Sequence, residues 1–75
     1  MNKNRRQQLR VWNQKAEGLK DELENILSDE QDYFDNMPEN LQGSMRGSDS
    51  EDAIGQMEEA VSSLEEAIEL IEEII

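Results

Sequence analysis

The sequence predicts an all-α fold, an antiparallel two-helix hairpin of the coiled-coil type, from three observations. Apolar residues recur at alternating steps of three and four along two long segments, the spacing of a coiled-coil seam. A single proline, Pro38, separates those segments. The chain has only 75 residues, so its single hydrophobic core is small and usually needs a disulfide, a metal or a partner chain to be stable. We expect one domain, with helix 1 over about 4–37, a loop over 38–48 and helix 2 over about 49–75.

Helix 1 is predicted from a heptad pattern that ends at Pro38, because proline lacks an amide hydrogen and disfavours helical geometry in the preceding residue. Glu30 is the one charged residue in this pattern, and we interpret it as fixing register or reaching the edge of the seam, with a functional carboxylate as the alternative. The predicted seam positions are Leu9, Trp12, Ala16, Leu19, Leu23, Ile26, Glu30, Tyr33 and Met37.

The stretch "PENLQGSMRGS" is predicted to be a loop with one helical turn through Leu41. Ser48 and Glu51 have the spacing of a capping box, which satisfies free amides at a helix start. Helix 2 is therefore expected to begin near Asp49. Its predicted seam is Ile54, Met57, Val61, Leu64, Ile68, Ile71 and Ile75.

The two seams fit one antiparallel register. It pairs Tyr33 with Ile54, Glu30 with Met57, Ile26 with Val61, Leu23 with Leu64, Leu19 with Ile68, Ala16 with Ile71 and Trp12 with Ile75. Further apolar residues remain outside this narrow seam, namely Ala53, Ala60, Ala67 and Ile74 on helix 2 and Leu27 and Phe34 on helix 1. One hairpin cannot cover them, so we expect a homodimer that forms a four-helix bundle.

Charge is divided unequally along the chain, whose net charge is −12. Residues 1–20 carry six cations and one acid, a net +5, whereas residues 21–75 carry one cation and eighteen acids, a net −17. In the predicted register Lys15 and Lys20 approach the acids around Glu65 and Glu69. The basic arm, Lys3, Arg5, Arg6 and Arg10, has no partner within the hairpin and is free to meet another molecule.

The composition argues against an enzyme. The chain has no Cys and no His, which removes disulfides, thiolate metal sites and the commonest general base. No glycine-rich phosphate loop is present, and the acidic stretches "SDEQDYFD" and "GSDSED" do not follow the ligand pattern of an EF-hand. We expect no cofactor and no metal. The sequence also contains no signal peptide and no membrane-spanning stretch, which indicates a cytoplasmic protein.

The run "SDEQDYFDNMPENLQGSMRGSDSEDAIGQMEEAVSSLEEAIELIEEI" resembles a family of small acidic helical proteins of bacteriophages and prophages. The usual form of that family is close to E-E-Q-x-Y-x-D-N-M-P-E-N-L-Q-x-S followed by an acidic heptad helix, and the most specific match spans Tyr33 to Ser44. The resemblance implies a helical hairpin in the cytoplasm of a bacterial host and supplies no catalytic residues, since the family has no settled activity. The sequence departs from it at "MRGSDSED".

Two classes of function follow. In the first, the hairpin is an adaptor or structural protein that presents its tip to a host or phage protein. The candidate contact residues at the tip are Tyr33, Phe34, Met37, Leu41 and Met45. Packing of the loop against its own helices explains the same residues equally well.

In the second class, the outer acids of helix 2 mimic nucleic acid and inhibit a host nucleic-acid-binding or defence protein. The candidates are Glu59, Glu66, Glu69 and Glu73, whose helical neighbours are spaced ~5–6 Å apart. A simple solubilising surface is the alternative. Direct DNA binding by the basic arm is disfavoured, because the remaining −17 repels a duplex.

Overall fold

Three helices and no strands make up the chain, in a computed structural model that describes all residues 1–75. The helices are α1 (Lys3–Asp35), α2 (Glu39–Gln42) and α3 (Met45–Glu72). The molecule is a rod of 58 × 14 × 13 Å. Helices α1 and α3 pack along each other in opposite directions, since Arg10 contacts Ile75 near one end and Glu30 contacts Ser50 near the other. The predicted all-α hairpin is confirmed. No helix is long and apolar enough to cross a membrane.

Helix α1 begins and ends at asparagine caps. The side chain of Asn2 accepts a hydrogen bond of 2.8 Å from the Arg5 amide, which satisfies one of the free donors at the helix start. At the other end the Asn36 side chain donates to the Asp32 carbonyl at 2.8 Å. The helix therefore stops at Asp35, two residues before the predicted end, and Pro38 follows.

A single helical turn, α2, joins the two long helices. The Leu41 and Gln42 amides donate to the Pro38 carbonyl, which closes this turn where the sequence predicts one. The Gln42 side chain also donates to the carbonyls of Phe34 and Met37 at 3.1 and 3.2 Å. Carbonyls at a helix end have no partner within the helix, so Gln42 ties the connection to the end of α1.

Helix α3 begins at Met45, four residues before the predicted start. Its cap is Ser44, whose hydroxyl accepts from the Gly47 amide, and not the predicted capping box of Ser48 and Glu51. Gly47 permits the extra turn because a Cβ atom there would lie 2.1 Å from the Gln42 carbonyl oxygen. The predicted loop is thus reduced to a short connection pressed against the first turn of α3.

The seam of α3 agrees with the prediction. Ile54, Val61 and Ile68 are buried, and half-buried residues fill the intervening positions: Met57, Leu64, Ile71 and Ile75. One face of the helix therefore supplies most of the core.

The seam of α1 differs from the prediction. Leu9, Ala16, Leu23, Glu30 and Met37 lie in it as expected, but the alternate positions are occupied by Asn13, Lys20, Leu27 and Phe34. The residues predicted there are exposed: Trp12, Leu19, Ile26 and Tyr33. Helix α1 is turned by roughly a sixth of a turn about its axis relative to the predicted hairpin.

The connection accounts for this rotation. Gln42 and α2 hold the last turn of α1 with Phe34 and Met37 directed inward. Because α1 is a continuous rod, residues spaced by seven from these two follow the same orientation. The register also shifts toward the start of α3, since Lys20 pairs with Glu65 and Glu30 contacts Ser50 rather than Met57.

Candidate protein-interaction surfaces

Four large apolar side chains form an exposed stripe along α1. Trp12, Leu19, Ile26 and Tyr33 are 45%, 58%, 57% and 49% exposed, and each lies seven residues from the next. Seven residues are two helical turns, so the four side chains point the same way over ~30 Å. Isolated exposed apolar residues are ordinary on a protein surface, whereas a row of four large ones along one side of a helix is a candidate contact surface.

Helix α3 borders this stripe with small apolar residues. On the opposite side of the hairpin, Glu17 and Lys20 line a shallow cleft with acids of α3, which places the charged flanks of both helices together. The flank of α1 that carries Trp12 and the flank of α3 that carries Ala53 therefore lie together on the other side of the hairpin. We call this side the apolar face, formed by Trp12, Leu19, Ile26 and Tyr33 of α1 with Ala53, Ala60 and Ala67 of α3 and Ile74 just beyond its end.

A shallow cleft lies at each end of the apolar face. The tip cleft, about 260 Å³, is lined by Tyr33, Met37 and Leu41 together with Asn36, Pro38 and Arg46. The N-terminal cleft, about 330 Å³, is lined by Met1, Arg5, Gln8, Leu9 and Trp12. Tyr33 and Trp12 belong to both the face and a cleft, so the apolar surface runs the length of the hairpin.

The five tip candidates do not form one exposed cluster. Tyr33 and Leu41 are exposed beside the tip cleft, but Met37 is buried beneath it. Phe34 is half-buried, and Met45 is 82% exposed outside the cleft lining. The structure therefore divides the predicted cluster into two core residues and three surface residues.

The acidic candidates on α3 all face solvent. Glu59, Glu66, Glu69 and Glu73 are exposed, and none of them forms an ion pair. The single ion pair of the hairpin joins Lys20 to Glu65 at 3.7 Å, as the sequence predicts for Lys20, whereas Lys15 remains unpaired. An exposed pair of this kind stabilises a fold by only ~0–1 kcal/mol.

The basic arm is part of helix α1 and is not a free extension. Lys3, Arg5 and Arg6 occupy its first turn and are exposed without ion pairs. Arg10 differs from the prediction because it does have a partner in the hairpin: its Nη2 donates to the Ile75 carbonyl at 3.3 Å. Three cations therefore remain available at this end.

Two polar residues interrupt the core. The Ser50 hydroxyl donates to Oε2 of Glu30 at 2.6 Å, which supports the prediction that Glu30 has a structural role in the seam. Asn13 is buried at a position that the sequence pattern did not select, and its Oδ1 has no hydrogen-bond donor. No group of three or more acidic side chains is arranged to hold a metal ion.

The fold and these surfaces define a class, a helical hairpin with one apolar and one acidic side. No family model matches the chain, and no curated protein or solved structure matches it either. The resemblance to the phage proteins therefore remains a prediction. The stripe on α1 is the surface that sequence reasoning missed, although its signal, four large apolar residues spaced by seven, is present in the sequence.

Proposed function

We propose that this protein is a non-enzymatic, phage-type adaptor or structural hairpin that acts through protein–protein contacts in the cytoplasm of a bacterial host. The observation that carries the proposal is the apolar face. Its four large residues are 45–58% exposed, so about half of the ~1.5–3 kcal/mol that full burial of such a side chain contributes remains to be gained against a partner.

The thin core supports the same conclusion. Only five apolar residues are buried: Ala16, Met37, Ile54, Val61 and Ile68. A core of this size stabilises a short chain weakly, and association with another chain is a common remedy. We propose that the hairpin dimerises into a four-helix bundle, and that a host or phage protein is the further partner.

A capture experiment tests the proposal. Extract from a bacterial host is passed over the immobilised protein, over its Leu19→Gln/Ile26→Gln variant and over a Val11→Gln control. Val11 is an exposed apolar residue of α1 that lies off the apolar face. We expect the protein and the control to retain the same bacterial protein and the double variant to lose it. Equal retention by all three proteins, or by none, argues against an adaptor whose partner binding depends on this face, directly or through the dimer.

A second candidate function is mimicry of nucleic acid, with host nucleic-acid-binding or defence proteins as targets. One observation favours it: Glu59, Glu66 and Glu73 form an exposed row that no cation of the hairpin neutralises. Successive members are ~10 Å apart along the helix, and Glu69 lies between two of them. Such a row suits a groove that binds phosphates.

A further inference from the structure

We infer that a second copy of this chain covers the apolar face, with its tip at the opposite end, so that α1 packs on α1 and α3 on α3. The inference rests on the proposed function and names the partner that this face takes. It assigns three features to one interface: the apolar stripe, the tip cleft and the basic arm.

The surface area fits one such contact. The hairpin exposes 5671 Å², whereas a compact chain of 8.7 kDa exposes about 4,700 Å². The excess of roughly 900 Å² is close to the ~800 Å² that each partner buries in a stable interface. A face-to-face contact that buries this excess is large enough to form a stable dimer.

The stripe on α1 is complementary to itself. Its four large residues are evenly spaced about a point between Glu22 and Leu23. A two-fold axis through that point places Trp12 of each copy beside Tyr33 of the other, and Leu19 beside Ile26 of the second copy. This is the self-matching that a symmetric dimer requires, since one patch must serve both copies.

The stripe on α3 is self-complementary in the same way. Ala60 and Ala67 lie on either side of its midpoint, with Ala53 and Ile74 beyond them. The axis places Ala60 against Ala67 of the second copy. Because these side chains are small, the two α3 helices can approach closely while the large residues of α1 fill the other half of the interface.

The clefts at the ends of the face match in shape only when the two tips are at opposite ends. The N-terminal cleft, with Met1 and Trp12, then meets the tip cleft of the second copy, with Tyr33 and Leu41. Residues 1–20 carry a net +5 and lie over residues 25–44 of the second copy, which carry five acids and no cation. Opposite charges attract across this interface.

The alternative orientation, with both tips at one end, places α1 of each copy over α3 of the other. The basic arm then lies over the acidic end of α3, so opposite charges meet in this orientation as well. Each N-terminal cleft is left without an apolar tip to cover it, so the match between the two clefts is what favours opposite ends.

Sedimentation equilibrium and a crosslink test the inference on the full chain. At micromolar concentration we expect a mass twice 8.7 kDa. Leu19→Gln/Ile26→Gln should return a helical monomer, because both side chains are exposed in the hairpin. The Val11→Gln control should remain a dimer. A monomeric wild-type chain, or a double variant that still dimerises, overturns the inference.

The crosslink determines the orientation. The chain has no cysteine, so Glu22→Cys introduces one thiol beside the expected axis, where the two copies bring it together. A short bismaleimide reagent should convert most of this variant to a covalent dimer. Glu59→Cys, on the outer side of α3, should stay uncrosslinked. If the protein is a dimer and Glu22→Cys fails to crosslink, the arrangement with the two tips at opposite ends is wrong. The proposed function is then still tested separately, by the capture experiment.

Discussion

Ser50 and Glu30 are joined across the hairpin by a hydrogen bond of 2.6 Å from the Ser50 hydroxyl to Oε2 of Glu30. Ser50 is buried and Glu30 is half-buried, and they lie in the seams of α3 and α1 near the connection. A carboxylate in a core is tolerated when a donor satisfies it. The hydrogen bond fixes the axial register of α3 against α1, because sliding one helix by a turn along the other would separate the two groups.

Removing the donor should destabilise the hairpin. We expect Ser50→Ala to lower the free energy of unfolding by ~1–2 kcal/mol, because the Glu30 carboxylate loses a charge-assisted hydrogen bond. Adding Glu30→Leu should recover most of that loss, since both polar groups are then absent. Urea denaturation at one chain concentration measures the cycle, with exposed Ser62→Ala as the control for helix propensity. Additive effects of the two substitutions would show that the residues are not coupled.

The two glycines of α3 should respond to alanine in opposite directions. At Gly47 a Cβ atom meets the backbone of Gln42 at 2.1 Å, so the connection must move. We expect Gly47→Ala to cost ~2 kcal/mol or more. At Gly55 nothing lies within 4 Å, and Gly55→Ala should stabilise the helix by ~0.5–1 kcal/mol. Thermal unfolding of both variants measures this, and a stabilised Gly47→Ala would contradict the close contact.

The tip candidates separate into packing and contact residues when they are truncated. Phe34 is half-buried, so Phe34→Ala should lower the free energy of unfolding by ~2 kcal/mol. Leu41 is 38% exposed, and Leu41→Ala should cost less than ~1 kcal/mol while weakening association. Circular dichroism on heating gives stability and sedimentation gives association. Normal association by Leu41→Ala would exclude the tip from the interface.

The sequence predicts α3 more completely than α1 for a physical reason. On α3 all the large apolar residues except Met45 and Leu70 fall on one stripe, so only one seam of large side chains is possible. On α1 two seams share Leu9, Ala16, Leu23, Glu30 and Met37. One seam is completed by the Trp12 set, which is Trp12, Leu19, Ile26 and Tyr33. The other is completed by the Asn13 set, which is Asn13, Lys20, Leu27 and Phe34.

Hydrophobicity alone selects the Trp12 set, which is the wrong seam for a single hairpin. The choice depends on how Gln42 holds the end of α1, a contact between residues outside the heptad pattern. The start of α3 was mispredicted for a related reason. Ser44 and Ser48 are both acceptable caps, and the close approach of Gly47 to Gln42 favours the earlier one.

Neutralising the outer acids separates mimicry from scaffolding. Converting Glu59, Glu66 and Glu73 to Gln removes three exposed charges that form no ion pair, so the hairpin should persist or gain stability through reduced self-repulsion. A scaffold whose partner binding depends on the apolar face or on the dimer should retain its partner almost normally at moderate salt. A mimic should lose most of its affinity, and even the unmodified protein should bind less tightly as salt rises.

Competition with DNA decides between these outcomes, because a mimic occupies the groove that DNA would occupy. The measurement is fluorescence anisotropy of the labelled protein with its captured partner, at two salt concentrations and with added duplex DNA. The Leu19→Gln/Ile26→Gln variant is the matched comparison, since it alters the apolar face and leaves the acids in place. Binding that resists salt and DNA, survives the triple substitution and fails in the double variant would assign the carboxylates to solubility alone.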